Sequence, residues 1–121
     1  METISGLMQI RLRPASKTDL PTLLPLVARY HDWEAIHQSE SQRARAVSSL
    51  LEDASLGIIW LIWRGDNVIG YMAVCFCYSI EFGGRDSFLD EFFIDEPYRN
   101  QGFGKAALDL ALRKLADADV R

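Results

Sequence analysis

The chain has 121 residues and a mass of 13.7 kDa, which is enough for one domain and too little for two. Apolar residues make up 49% and charged residues 25%, a globular composition that excludes disordered, coiled-coil and collagen-like proteins. The formal net charge of -4 argues against a nucleic-acid-binding protein, because such domains are usually basic.

The chain has no sequence feature of membrane insertion, secretion or metal binding. Its wholly apolar runs, such as Ile58–Trp63, are far shorter than the roughly 18 residues of a membrane helix. No secretory apolar region follows the first residue, so we expect a soluble, cytoplasmic protein that does not bind membranes. Cys75 and Cys77 are predicted to be core thiols in a reducing compartment. Together with His31 and His37 they lack the spacing of a metal site.

The first half of the chain predicts one strand and two helices. Residues 8–13 alternate apolar and polar side chains, which indicates a half-buried strand. Leucines at helical spacing after residue 19 predict a helix, in which Pro25 removes one backbone donor. Arg29–Gln38 mixes aromatic and charged residues and predicts a loop or a broken helix. Ser39–Ala54 predicts the second helix.

The second half predicts three strands and a final helix. The strands are Ile58–Trp63, Val68–Phe82 and Ser87–Asp95, and glycine-containing turns separate them. An apolar stripe predicts a helix over Phe103–Asp117. Because tight turns join successive strands, the order β-α-α-β-β-β-α favours an antiparallel core and not a Rossmann-type sheet.

Two glycines lie in the loop before the last helix. A helix N-terminus exposes unpaired N–H groups, and glycine lets the backbone approach an anion closely. Gly102 and Gly104, flanked by Arg99 and Lys105, therefore predict a phosphate or pyrophosphate site. Ordinary solvated charge is the alternative for Arg99 and Lys105. The dinucleotide fingerprint does not fit, because this loop separates the first glycine from the strand.

In this context the segment Glu91–Gly104 resembles the acetyl-CoA-binding motif of the GNAT superfamily of N-acetyltransferases. The motif is Arg99-x-x-Gly102-x-Gly104, and the resemblance covers nearly the whole chain. It implies an α/β fold of the α+β type with a GNAT-like mixed sheet, in a single domain over residues 1–121. The domain is expected to lack the family's C-terminal strands and helix.

The resemblance also implies a reaction and its donor. The reaction is transfer of an acetyl group from acetyl-CoA to a primary amine of a small molecule or of a peptide or protein N-terminus, without a metal. A non-catalytic acyl-CoA-binding or degenerate module is the alternative. In the family, Arg99 would assist phosphate binding, and strand backbone would pair with the pantetheine arm. The residues implied in cofactor binding are Phe92, Ile94, Arg99, Gln101, Gly102, Phe103, Gly104 and Lys105.

Two carboxylates near the end of the last strand are candidates for the general base. Asp90 and Glu91 are adjacent, so we expect them on opposite faces of the strand, with one of them in the active cleft. Burial would raise the pKa of that carboxyl group toward the working pH. The alternative for each is a surface carboxylate at the sheet edge.

The resemblance places the wall of the acceptor pocket in the segment that joins the first two helices and in the third and fourth strands. An aromatic wall with one carboxylate would suit a small amine, but the same residues could be core. His31 and His37 are candidates for a proton relay or for packing. The residues implied for the wall are Tyr30, Trp33, Glu34, His37, Phe76, Tyr78 and Glu81.

The chain stops where the family's fifth strand would begin, and the usual general acid would follow that point. A fragment, a completing partner chain and a protein that has lost activity are the three explanations. Ser87–Asp95 would then be an apolar sheet edge, so we expect a homo-oligomer or a longer natural protein.

Overall fold

The computed structural model describes residues 10–118, which form four strands and three α-helices. The strands are β1 (Ile10–Pro14), β2 (Gly57–Arg64), β3 (Asn67–Ser79) and β4 (Gly84–Ile94). The helices are α1 (Leu20–Trp33), α2 (Glu40–Glu52) and α3 (Phe103–Asp117). The predicted fold class and element order are confirmed. The predicted strand residues 8 and 9 lie outside the described part.

The strands form one sheet in the order β1-β2-β3-β4, and each neighbouring pair is antiparallel. Short turns explain this arrangement for β2–β3 and β3–β4, because a hairpin can only join antiparallel strands, whereas helices α1 and α2 lie between β1 and β2. Between β3 and β4 the register shifts: Ala73 pairs with Glu91, whereas Val74 pairs with Leu89. Asp90 is therefore an extra residue in β4, a β-bulge that bends the strand locally.

Helices cover both faces of the sheet. Helix α3 buries Phe103, Ala107 and Ala111 against one face. Helices α1 and α2 cover the opposite face, where Leu23 and Val47 join the core. The central strand β2 is buried from both sides, which explains why its sequence is a continuous apolar run rather than an alternating one.

Helix α1 is longer than the sequence predicts. The loop or broken helix expected over Arg29–Gln38 is wrong for its first half, because α1 continues to Trp33. Tertiary packing supplies the reason: the ring of Tyr30 contacts those of Tyr71 and Phe93 at centroid distances of 6.3 and 6.0 Å. These contacts outweigh the weak helix propensity of aromatic residues.

The prediction of two core thiols is also wrong. Cys75 is half-buried and Cys77 is exposed, and both are free thiols. Burial along β3 falls after Val74, and the five residues that follow in the strand are half-buried or exposed. A strand-like pattern predicts which residues share a face, but it does not predict where the covering helices end.

Strand β4 forms one edge of the described sheet. Phe88 and Leu89 are 54% and 46% exposed, and Leu112 of α3 is 57% exposed. These side chains line an apolar cavity of about 540 Å³ between β4 and α3. The expected homo-oligomer stays a prediction. Among residues 10–118, no helix has the length and apolar character needed to cross a membrane.

Candidate active site

The bulge in β4 brings two carboxylates into one cavity. Asp90 and Glu91 both line a space of about 300 Å³ between α1, α2 and the sheet. The expectation that they lie on opposite faces is wrong, because the extra residue interrupts the alternation of side chains along the strand. We call this space, with His31, Arg43 and Tyr71 in its wall, the carboxylate cavity.

Glu91 is anchored by hydrogen bonds at both carboxylate oxygens. The Tyr71 hydroxyl donates to Oε1 at 2.7 Å, and His31 Nε2 lies 2.7 Å from Oε2. Burial and the neighbouring Glu91 raise the pKa of Tyr71, so this hydroxyl keeps the proton that it donates. The Glu91 side chain, 18% exposed, is therefore held in one orientation by two donors.

The second donor, His31, has a defined tautomer. Its ring is buried, and Arg43 Nε donates a hydrogen bond to Nδ1 at 3.2 Å. Because a guanidinium only donates, Nδ1 must accept, and the ring proton resides on Nε2. His31 thus donates to Glu91. Arg43 is itself fixed by a second hydrogen bond to the carbonyl of Gln38 at 3.1 Å.

Asp90 differs from its neighbour in having no such anchor. Its side chain accepts no hydrogen bond from the described residues 10–118. Burial and, secondarily, the negative charge of Glu91 raise the pKa of Asp90, whereas positive charge on His31 acts to lower it. The cavity therefore contains one carboxylate held by donors and one with an increased affinity for a proton.

A second cavity lies at the start of α3, and we call it the glycine-turn cavity. Gly102 caps the helix at a φ of 84°, in the left-handed region that glycine adopts most readily. No side chain of the described residues caps the amides of the first turn. The cavity has a volume of about 290 Å³. It is lined by Trp33, Phe92, Ile94, Tyr98, Arg99, Asn100 and Gly104.

Gly104 leaves space that the fold itself does not need. A Cβ atom at this position would lie 3.7 Å from Phe92 Cζ and 3.8 Å from Ile94 Cγ1, which is ordinary van der Waals contact. The packing around the helix would accept a side chain here. A glycine that packing does not require is consistent with close approach of a ligand to the backbone.

Arg99 closes one side of the glycine-turn cavity. Its Nε donates to the carbonyl of Ile94 at 2.7 Å, and its guanidinium lies 4.1 Å from the ring centroid of Trp33. The amide of Asp95 bonds toward β3, so by alternation the backbone groups of Phe92 and Ile94 face the open edge of β4. Arg99 binds the Ile94 carbonyl, which leaves the backbone groups of Phe92 available to a ligand that pairs as a strand would.

The other predicted cofactor residues surround the same turn. Phe103 is buried in the core beneath the helix start, and the Lys105 side chain is 84% exposed, with its Nζ 3.6 Å from Asp109 Oδ2. The Gln101 side chain donates to the carbonyl of Pro97 at 3.0 Å. These three side chains have separate surroundings, so they share only the backbone of the turn.

The predicted acceptor wall is divided between different places. Tyr30 packs against the rings of Tyr71 and Phe93. Trp33 lines the glycine-turn cavity, and Glu34 is exposed at the end of α1. Of the other candidates, His37 lines the carboxylate cavity. Three candidates lie elsewhere, at the far end of β3 and the turn that follows: Phe76, Tyr78 and Glu81.

The sequence does not identify Arg43 and Tyr71 as residues of this site. Tyr71 lies in an apolar strand and Arg43 in a polar helix, so neither has a local signature. Their role depends on contacts with residues distant in the chain.

Among residues 10–118, no group of three or more histidine, cysteine or acidic side chains is arranged to hold a metal ion.

Comparisons with known proteins bear on the family and the fold of this chain. The sequence profile of the acetyltransferase (GNAT) family matches residues 20–121. An integron cassette protein from the mobile metagenome of Cole Harbour Salt Marsh is 30% identical with a TM-score of 0.85, over 100% of this chain and 78% of that chain. A search of curated proteins gives no significant match.

Two more distant structures share the fold. A possible acetyltransferase from Clostridium difficile 630 is 20% identical with a TM-score of 0.77, over 90% of this chain and 72% of that chain. A predicted acetyltransferase from Clostridium acetobutylicum, solved with acetyl-CoA, is 17% identical with a TM-score of 0.74, over 93% of this chain and 77% of that chain.

Proposed function

Because the chain belongs to the GNAT family of acetyltransferases, we propose that it transfers an acetyl group from acetyl-CoA to a primary amine at the bulge of β4. One observation carries this proposal. Strand β4 contributes Asp90 and Glu91 to the carboxylate cavity and, immediately afterwards, Phe92 and Ile94 to the glycine-turn cavity. A donor at one cavity and an amine at the other would meet along a single strand.

The glycine-turn cavity suits the phosphate end of acetyl-CoA. The uncapped amides of α3 and the positive end of the helix favour an anion, and Gly104 leaves room for it against the backbone. Backbone groups of Phe92 at the open edge would pair with the amide groups of the pantetheine arm. When bound, acetyl-CoA supplies the acetyl group.

The carboxylate cavity suits the amine. An acceptor enters as an ammonium, which has no lone pair with which to attack, and two carboxylates attract it. Asp90 removes the proton: an N–H bond breaks, the proton moves to an Asp90 oxygen, and the lone pair remains on nitrogen. A carboxylate with a raised pKa accepts this proton more readily near neutral pH than an ordinary one.

Glu91 has a different role in this proposal. Its two donors hold its carboxylate in one orientation, and its charge is one of the causes that raise the pKa of Asp90. It therefore acts as a fixed negative charge that attracts the ammonium and keeps Asp90 basic. The proposed acceptor is a small primary amine or a peptide N-terminus. A panel of amines that includes both kinds would distinguish them.

The decisive experiment measures acetyl-CoA binding by calorimetry and thiol release with the amine panel. Gly104→Val places a branched side chain where the ligand must touch backbone, and we expect affinity to fall at least tenfold, or about 1.4 kcal/mol. Gly84→Val is the matched control, because Gly84 lies in β4 beside open space. Unchanged affinity in a folded Gly104→Val protein would overturn this site. Binding by the parent without thiol release would instead support the non-catalytic module.

A further inference from the structure

We propose that Arg43 is a positioning residue, which fixes the Nε2–H tautomer of His31 and through it the orientation of Glu91. The inference rests on the proposed function, since Glu91 matters for the rate only if an amine is deprotonated beside it. It goes further by assigning a role to two residues that lie outside the reacting atoms. Neither the glycine motif nor the pair of carboxylates on β4 requires them.

Burial constrains both ring nitrogens of His31. The His31 side chain is 5% exposed, so each ring nitrogen must find a partner within the protein. The two partners are Arg43 at Nδ1 and Glu91 at Nε2. A ring with its proton on Nδ1 would place two donors against each other at the first contact and two acceptors at the second. Arg43 therefore selects the tautomer that donates to Glu91.

The same contact leaves no acceptor for a proton on Nδ1. Such a proton would face the Arg43 guanidinium at 3.2 Å, and both groups are donors. A neutral donor holds Glu91 in place without cancelling its charge. An imidazolium would cancel it and would also lower the pKa of Asp90.

Other charged and titratable groups also face His31. Asp90 and Glu91 come from β4, Tyr71 comes from β3, and His37 lies in the segment between α1 and α2. Tyr30 is the neighbour on its own helix, with ring centroids 6.1 Å apart. Arg43 is the hydrogen-bond partner of Nδ1, so its removal frees that nitrogen.

Two measurements on Arg43→Met test the proposal, and Arg45→Met, an exposed residue of the same helix, is the control. Proton–nitrogen correlation spectra of the imidazole report the tautomer whether or not the protein is active. We expect a pure Nε2–H form in the parent and in Arg45→Met, and a mixture or an imidazolium in Arg43→Met. An unchanged pure tautomer in Arg43→Met would overturn the proposal.

Kinetics provide the second measurement. In Arg43→Met we expect kcat at neutral pH to fall roughly tenfold, part of the 10²–10⁴-fold effect of general-base catalysis, with KM for acetyl-CoA unchanged. Arg43→Lys restores a donor and should recover part of the loss. A tautomer change without loss of kcat would refute the positioning role. A parent without acetyl transfer would refute the proposed function and leave the tautomer result standing.

A double-mutant cycle separates positioning from general damage. In His31→Gln the side-chain amide can donate to Glu91 without any tautomer to choose. If Arg43 acts through the tautomer, adding Arg43→Met to His31→Gln should cost less than about twofold in kcat. Losses that multiply in the double variant would show that Arg43 acts by another route.

Discussion

The two cavities beside β4 differ in how their polar groups are satisfied. In the carboxylate cavity, Arg43, His31, Glu91 and Tyr71 form a continuous chain of hydrogen bonds within the protein. In the glycine-turn cavity, the amides at the start of α3 have no side-chain partner among the described residues. The first site holds its geometry by itself, whereas the second offers groups that a ligand would satisfy.

This difference predicts which property each kind of substitution should change. Changes in the carboxylate cavity break internal contacts, so they should affect stability and pH dependence as well as rate. Changes in the glycine-turn cavity, such as Gly104→Val, should affect ligand affinity alone. Variants in each cavity therefore test this division.

The largest effect is expected from Asp90→Asn. Loss of the proton acceptor should lower kcat at neutral pH by about 10²-fold or more, and the deficit should shrink at high pH, where the free amine forms unaided. Glu91→Gln should lose less activity. Because the Glu91 charge raises the pKa of Asp90, its removal should move the acidic limb of the pH–rate profile toward lower pH.

These two profiles are measured beside that of Asp66→Asn, which changes an exposed carboxylate in the turn between β2 and β3. Asp66→Asn should match the parent across the profile. If Asp90→Asn also matches the parent, the base lies elsewhere. A shift of the acidic limb toward higher pH in Glu91→Gln would contradict the assigned electrostatic role.

The next effect is on stability. Tyr71→Phe removes the hydroxyl that donates to Glu91 and should reduce the free energy of unfolding by about 2 kcal/mol, the usual contribution of a hydrogen bond to a charged group. That loss corresponds to a Tm lower by roughly 5–10 °C. The control, Tyr78→Phe, changes a side chain that is 70% exposed and should leave Tm unchanged. If Tyr71→Phe and the parent have equal Tm values, the hydrogen bond from Tyr71 to Glu91 adds no stability.

The same contrast explains what sequence reasoning could find. The glycine-turn cavity is built mostly from one short stretch of chain, in which the strand end, Arg99, Gly102 and Gly104 follow one another. Local signals suffice there, and the helix predicted over Phe103–Asp117 has the same bounds in the structure. Helix α1 was predicted too short, because packing of Tyr30 on the sheet, not propensity, continues it to Trp33.

The carboxylate cavity depends on contacts that no local pattern contains. His31 and Glu91 are 60 positions apart, and Tyr71 and Glu91 are 20 apart. The bulge at Asp90 depends on how β4 pairs with β3, so the two carboxylates were expected on opposite faces. Sequence reasoning could identify both acids as candidates, but it could not assign one as anchored and the other as unanchored.

The smallest effect concerns the stability cost of Asp90. Its pKa is raised chiefly by burial, so the folded protein binds this proton more tightly than the unfolded chain does. Stability from this group is therefore fully present below the unfolded pKa and is lost as pH rises through the folded pKa. Asp90→Asn should unfold at a higher temperature than the parent at neutral pH, and the difference should vanish toward acidic pH.

Asp53 supplies a control of opposite sign. Its hydrogen bonds with Ser55 lower its pKa, so its contribution to stability is present above the unfolded pKa and is lost as pH falls through the folded pKa. Asp53→Asn should therefore unfold at a lower temperature than the parent at neutral pH. Thermal unfolding of both variants at neutral and acidic pH tests the pair. If Asp90→Asn unfolds at or below the temperature of the parent at neutral pH, Asp90 does not carry the stability cost that its raised pKa implies.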